Sequence, residues 1–485
     1  MRARLARFAR AGSGTALIAM AARVSGQIAM VAVTLVATRR LAPADFGIFA
    51  IAGALVMLAR TMQYTGPFEY LIKAPQESEG PVAAACLAAT ALVATGWTLL
   101  LVALGLAAPV LFRGGGVAPV ILALAPSVLC AALAAFAESL MLRAGAVRRY
   151  YAITVLAETG AGLAAIGLLL AGWGLWALVA QIYMRVVLLV LALGGLGPRL
   201  TLAWPRPGGI RAVLSWSASR FGSVLVGFLA NYSGDLVLGM VFSPAAAGLY
   251  RAANRMVTAL ADMFVQPAGM LALTTLAAQR ARGEAPSGAW LRLCGLFGVL
   301  GWPALAVLAL FAGRVVPLAL GPAWAAAGPI VAVFCLARMA SLVSAVATAA
   351  LVVADRQGRV LAVQTAAALA TAALTVLAAP FGALGAALAA TFVAVLAAAA
   401  LALAAFRREE RAALAEAARF VLLPLAGAFG AALAADRLSG GGTPLLALIL
   451  PLAAAAAGWL LAAWPFAPAL RRAAALLSEM PPKPA

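Results

Sequence analysis

Fourteen apolar stretches of about twenty residues or more follow one another along this chain, separated by short polar turns. They run roughly over 14–38, 46–65, 82–111, 117–141, 152–171, 174–195, 213–241, 246–276, 290–313, 325–352, 360–379, 383–405, 418–435 and 444–464. A bilayer core needs ~20 apolar residues in helical conformation. Within it every backbone polar group must be satisfied inside the segment. The fold class that follows is an all-α polytopic membrane protein with about 14 transmembrane helices. A composition of 65% hydrophobic and 10% charged residues excludes a soluble domain. The +20 net charge has no basic soluble module to occupy, so it does not signal a nucleic-acid partner.

The basic residues instead report orientation. With the N-terminus in the cytoplasm, 23 Lys and Arg fall in cytoplasmic segments and five in the opposite loops (Arg39, Arg40, Arg113, Arg314 and Arg437). The positive-inside rule then places both termini in the cytoplasm. The run after MRARLARFAR is too long for a cleaved signal and carries Arg23, so it is expected to be a retained helix.

The chain echoes itself. LAPADFGIFA from Leu41 matches FSPAAAGLYR from Phe242, pairing Pro43 with Pro244 and Gly47 with Gly248 at an offset of 201. GWGLWAL from Gly172 resembles PFGALGA from Pro380 at an offset of 208. A duplication of six spans predicts two parallel six-helix lobes plus two C-terminal helices. The expected divisions are a first lobe over 1–200, a second over 201–405, and 406–485 as an interfacial segment, two extra helices and a cytoplasmic tail.

No catalytic constellation, cofactor motif or metal-ligand spacing is present. There is no His, and Cys86, Cys130, Cys294 and Cys335 are scattered through apolar runs, where a thiol acts as a small hydrophobe. Asp355-Arg356-Gln357-Gly358-Arg359 reads as a turn between spans. Six prolines, Pro126, Pro267, Pro303, Pro329, Pro424 and Pro451, fall inside spans, where each frees backbone groups.

Charges inside the spans carry the chemistry. The arginines are Arg23, Arg60, Arg185, Arg220, Arg251, Arg255 and Arg338; the acids are Glu138, Glu158, Asp235 and Asp262. An Arg at the bilayer centre costs roughly 2.5–3.5 kcal/mol if it faces lipid, so these groups should face a partner or a wet interior. Arg60 and Arg220 lie near span ends, where a side chain can snorkel. Arg251, Arg255, Thr258, Asp262 and Gln266 recur on one helical face, and Arg220, Asn231 and Asp235 share another. An interlobe cavity is the expectation. Its cationic, substrate-binding lining would comprise Arg23, Arg185, Arg220, Arg251, Arg255 and Asn231, with Asp235, Asp262 and Glu158 as candidates for ion coupling. Arg is suited to phosphate oxygens through its planar donor fork.

The segment RRLAPADFGIFAIAGALVMLARTMQYTGPFEYLI from Arg39 resembles the opening of oligosaccharide flippases of the polysaccharide-transporter group. These belong to the multidrug/oligosaccharidyl-lipid/polysaccharide exporter superfamily. Asn231, Asp235, Leu238-Gly239, Pro244, Gly248-Leu249-Tyr250 and Arg255 resemble that group's most recognisable stretch, and Arg148-Arg149 followed by GWGLWALV also fits. The resemblance covers about residues 15–405. It implies a two-lobed twelve-helix core with a cationic lumen in the bacterial inner membrane. It further implies that an undecaprenyl-diphosphate oligosaccharide is moved across that membrane by alternating access. Membrane lipids, and the polymerase and glycosyltransferases of polysaccharide assembly, would be its partners. The competing readings are an ion-coupled multidrug antiporter of the same superfamily and a membrane-embedded polymerase or glycosyltransferase. The positive interior opposes the first, and the short external loops without His oppose the second.

Overall fold

A computed structural model describes residues 25–74, 79–113, 115–196, 204–283, 288–406, 408–438 and 446–468, almost all of them in helices. Twelve spans among these residues are long and apolar enough to cross a membrane. The count falls below fourteen for two reasons. The segment Gln357–Ala405 is one unbroken apolar stretch that holds two helices. The helix over residues 25–40 (α1) begins where description begins.

The chain divides into two compact units, Met1–Gly248 and Leu249–Ala485. The first contains α1, α2 (Pro43–Thr65), α3 (Pro67–Lys73), α4 (Glu79–Leu111), α5 (Val117–Arg143), α6 (Val147–Leu170), α7 (Trp176–Leu196) and α8 (Gly209–Val241). It also takes the first turn of α9 (Pro244–Ala281). Duplication makes α8 the counterpart of α1, yet α8 packs on α2, α3 and α4. Gly239 of α8 sits against Ile51 and Phe112, and its carbonyl accepts from the Arg113 amide at 3.1 Å. This packing places α8 in the first compact unit.

The first echo is a structural pair. Pro43 opens α2 and Pro244 opens α9, where the missing N–H costs nothing. The two helix starts then cross at their matching glycines. A Cβ on Gly47 would fall on the Pro244 carbonyl, and one on Gly248 would fall on the Pro43 carbonyl. The second echo marks two further turns. Gly174 before α7 and Gly382 at the start of α13 hold φ of 58° and 73°, a region open to glycine without strain.

The second unit contains the rest of α9, α10 (Ala289–Leu320), α11 (Gly328–Val353), α12 (Gln357–Ala378), α13 (Gly382–Ala405), α14 (Arg411–Leu438) and α15 (Leu446–Ala463). Its core joins Ala268, Leu276, Trp290, Leu293, Val346 and Leu401 from α9, α10, α11 and α13. The turn over 354–356 connects α11 to α12. Arg280 ties it by donating to the Val353 carbonyl and pairing with Asp355 at 2.6 Å. The last two helices cross back to back through small residues. Gly427 lies against Gly458 and Ala462, and Gly458 against Gly427 and Ala431. Two small-xxx-small steps thus let the α14 and α15 backbones touch, the usual device where lipid supplies no hydrophobic drive to pack.

Donors from neighbouring helices reach backbone carbonyls near two interior prolines. Around Pro126 in α5, Gln63 of α2 donates to the Val128 carbonyl at 3.0 Å, and Tyr183 of α7 donates to that of Ala123 at 2.5 Å. Pro303 in α10 lacks the N–H that would reach the Val299 carbonyl four residues back. The indole N–H of Trp459 in α15 takes that carbonyl at 2.7 Å. Pro329 lies inside its span but in the first turn of α11, where its missing N–H breaks no helical bond.

Candidate functional site

Each unit carries its own polar interior. In the first, four charges from four helices converge. Arg185 of α7 pairs with Glu158 of α6, Nε to Oε1 at 2.5 Å. Arg60 of α2 lies within electrostatic reach of Arg185, Glu158 and Glu138. Glu138 of α5 is 2% exposed and accepts a hydrogen bond from the Tyr64 hydroxyl of α2. Three polar atoms of this cluster are buried without a hydrogen-bond partner: Arg60 Nε, Arg185 Nη1 and Glu138 Oε1. The cluster stands between elements that are otherwise apolar. α5 turns Phe136 and Leu140 toward Leu71 of α3 and Cys86 of α4 on its other side.

The remaining first-unit candidates go elsewhere. Arg220 of α8 pairs with Glu69 of α3, its Nη2 2.5 Å from Oε2, and its guanidinium carbon stands 5.2 Å from the Trp216 ring centroid. It is half exposed, and Lys73 covers the same ring at 5.8 Å. Asn231 is exposed and donates to the Gly227 carbonyl of its own helix at 2.8 Å. Asp235, one turn on, is wholly buried. The expected shared face of Arg220, Asn231 and Asp235 therefore divides into an exposed part and a buried part. Arg23 lies outside the described residues.

In the second unit, α9 and α11 hold a smaller network. Arg338 of α11 donates through Nη2 to Asn254 Oδ1 at 2.9 Å, and Thr258 donates to the same oxygen at 3.3 Å. Asp262 acts electrostatically on Arg338. Arg251 is buried at the start of α9, and Arg255 is partly buried one turn further.

The structure thus brings together Arg185 with Glu158, and Asp262 with Arg338. It adds Arg60, Tyr64, Glu138 and Asn254, which the sequence analysis did not place in a site. Intramembrane position marked Arg60 and Glu138. Nothing in the sequence paired them, because their helices are distant in the chain.

Chemically, the first unit balances its charges. Arg60, Arg185 and Arg220 stand with Glu138, Glu158 and Asp235 among the described residues. Of the intramembrane charges singled out in the sequence, the second unit holds Arg251, Arg255 and Arg338 with Asp262, a cationic surplus.

This fold is that of known transporters. It matches the lipid II flippase MurJ in an inward closed conformation with a TM-score of 0.74 at 12% identity, over 94% of this chain and 99% of that one. It matches the eukaryotic MATE transporter AtDTX14 with a TM-score of 0.50 at 14% identity, over 85% of this chain and 99% of that one. No curated protein matches the sequence. The family described as polysaccharide biosynthesis protein matches residues 35–329, more than half of the chain, and this multi-pass membrane transporter belongs to it.

Proposed function

We propose that the protein flips a lipid-linked oligosaccharide, carried on undecaprenyl diphosphate, across the bacterial inner membrane for polysaccharide biosynthesis. Both termini lie in the cytoplasm, and the carrier moves by alternating access. The observation that carries the proposal is the cationic surplus of the second unit: three intramembrane arginines with one carboxylate in helices otherwise fit for lipid. A diphosphate is the group such an interior suits, since guanidinium forks bind phosphate oxygens with charge-assisted hydrogen bonds. Membership in a polysaccharide-biosynthesis family supports a glycan cargo. The likeness to a lipid II flippase supports a lipid carrier. Polymerase and glycosyltransferases of the same assembly line are the expected partners.

The test is reconstitution of the purified protein in vesicles holding a fluorescent undecaprenyl-diphosphate oligosaccharide, with dithionite quenching from outside. Flipping above empty vesicles is expected. Arg255→Ala should abolish it at unchanged protein level, and Arg255→Lys should restore only part, because Lys keeps the charge and loses the fork. Rescue of Arg255→Ala by neutralising Asp262 would make Arg255 a structural partner instead. No flipping in vesicles that still export a cationic dye would replace the proposal with a multidrug antiporter.

A further inference from the structure

We infer that the Arg60–Glu138–Glu158–Arg185 cluster of the first unit is a proton-binding site, with Glu138 as the group that takes and gives up the proton. Four observations converge on it. The carboxyl is 2% exposed in the interior of a membrane-spanning helix. One of its oxygens, Oε1, has no hydrogen-bond partner, while the Tyr64 hydroxyl donates to the carboxyl. The neighbouring acid, Glu158, is already held by Arg185 at 2.5 Å. Arg60, the remaining cation within reach, keeps its Nε unpartnered as well. A buried charge lacking its full set of partners is costly, and a carboxylate relieves that cost by taking a proton.

The surroundings choose the ligand. A metal cation needs several oxygens at contact distance and a negative field. Here two guanidinium groups act on the same space, and no group of three or more metal-ligating side chains exists among the described residues. An anion would meet Arg60 Nε and Arg185 Nη1, yet Glu138 and Glu158 oppose it. A proton needs one oxygen only, and Glu138 Oε1 offers it. The groups acting on Glu138 come from three helices: Arg60 and Tyr64 of α2, Tyr150 and Glu158 of α6, and Arg185 of α7. The α3 and α4 side is largely apolar, with Cys86 and Tyr70 as its titratable groups and Arg143 acting on Cys86.

With both acids ionised, the two arginines and the two glutamates cancel in charge. Protonating Glu138 leaves the cluster one positive charge. Arg60 then loses one of the two carboxylates that act on it, and the balance between α2 and α5 changes. That this step drives transport rests on the flippase proposal; that the site binds a proton does not.

The test is an infrared titration of the full-length protein in lipid nanodiscs, following the carbonyl stretch of protonated carboxyls from roughly pH 4 to about 9, the range that burial opens to a carboxyl. A band that grows as pH falls is expected. It should vanish in Glu138→Gln and persist in Glu158→Gln. Arg60→Gln should move its midpoint to higher pH, because removing a nearby positive charge destabilises the carboxylate. Saturating sodium chloride should leave the midpoint in place. A band unchanged in Glu138→Gln, or no titrating band in the parent protein, overturns the inference. A sodium-induced shift to lower pH overturns it in favour of a metal cation. If Glu138→Gln is not recovered folded, the Arg60→Gln shift decides on the native carboxyl. A flipping failure with the band intact would refute the transport proposal alone.

Discussion

Trp459 should be worth most to stability where Pro303 has disabled the backbone. Pro303 has no N–H, so the Val299 carbonyl loses its usual helical partner. Val299 is 2% exposed, and no water from bulk reaches it. The Trp459 indole N–H fills that place at 2.7 Å, bridging α15 to α10. Trp459→Phe keeps much of the ring and removes only the donor. A net hydrogen bond contributes about 0.5–1.5 kcal/mol, and a buried carbonyl left alone costs about 1–3. Polar contacts between membrane helices average about 0.6 kcal/mol, because the unfolded chain in the membrane also finds partners. A loss of about 1–2 kcal/mol is therefore expected, read as unfolding free energy in a dodecyl sulfate titration of mixed micelles. The decisive step is a second background. In Pro303→Ala the new amide can bond Val299 within its own helix, so adding Trp459→Phe should then cost about 0.5 kcal/mol or less. Equal costs in both backgrounds would refute the reasoning and reduce Trp459 to a packing residue.

Two further outcomes follow from the fold. Gly47→Ala should prevent close crossing of the α2 and α9 starts, since its Cβ would meet the Pro244 backbone oxygen, which cannot rotate away. The expected cost is about 1–3 kcal/mol in the same titration, with Gly248→Ala behaving alike and Gly53→Ala, which meets nothing, neutral. Reporter fusions after Ala245 and after Glu284 should read periplasm and cytoplasm respectively; the reverse pattern would invert the proposed topology.

The helices were legible because bilayer length and apolar composition leave few alternatives. The expected spans fall on the observed ones within a few residues, from 82–111 in α4 to 383–405 in α13. The duplication was legible in Pro43, Gly47, Pro244 and Gly248, since close approach of backbones demands glycine. The Gly427–Ala431 and Gly458–Ala462 steps escaped notice for the opposite reason: in an Ala-rich background a small residue carries no signal. Pairings across helices, such as Trp459 with Val299, depend on packing that no local period encodes. The site was half legible. Intramembrane charge singled out Arg185, Glu158, Arg338 and Asp262, yet sequence could not say which acid answers which base. Arg220, near a span end, was expected in the cationic lining with snorkelling as an alternative, and it stands half exposed against Glu69. Arg60 carried the same alternative, and its Nε is buried inside the bundle.

The two interiors handle their charges differently, and that difference separates stability from transport at one residue. In the second unit Arg338 donates to an amide, Asn254 Oδ1 at 2.9 Å, while Asp262 acts on it electrostatically. A hydrogen bond to a charged group contributes about 1.5–3 kcal/mol, so Asn254→Ala should destabilise by that order and release Thr258 as well. Asn254→Asp has the opposite local effect. It keeps the accepting oxygen, adds a negative charge beside Arg338, and should leave unfolding free energy unchanged or raised. It also cuts the surplus of the second unit from three arginines with one acid to three with two. If the positive interior exists only to complete internal pairs, Asn254→Asp is harmless to flipping. If it exists to receive a diphosphate, flipping falls about tenfold or more while the protein stays folded, the effect of about 1.4 kcal/mol lost from anion binding. Full activity in Asn254→Asp would show that surplus charge here is not the feature the substrate uses.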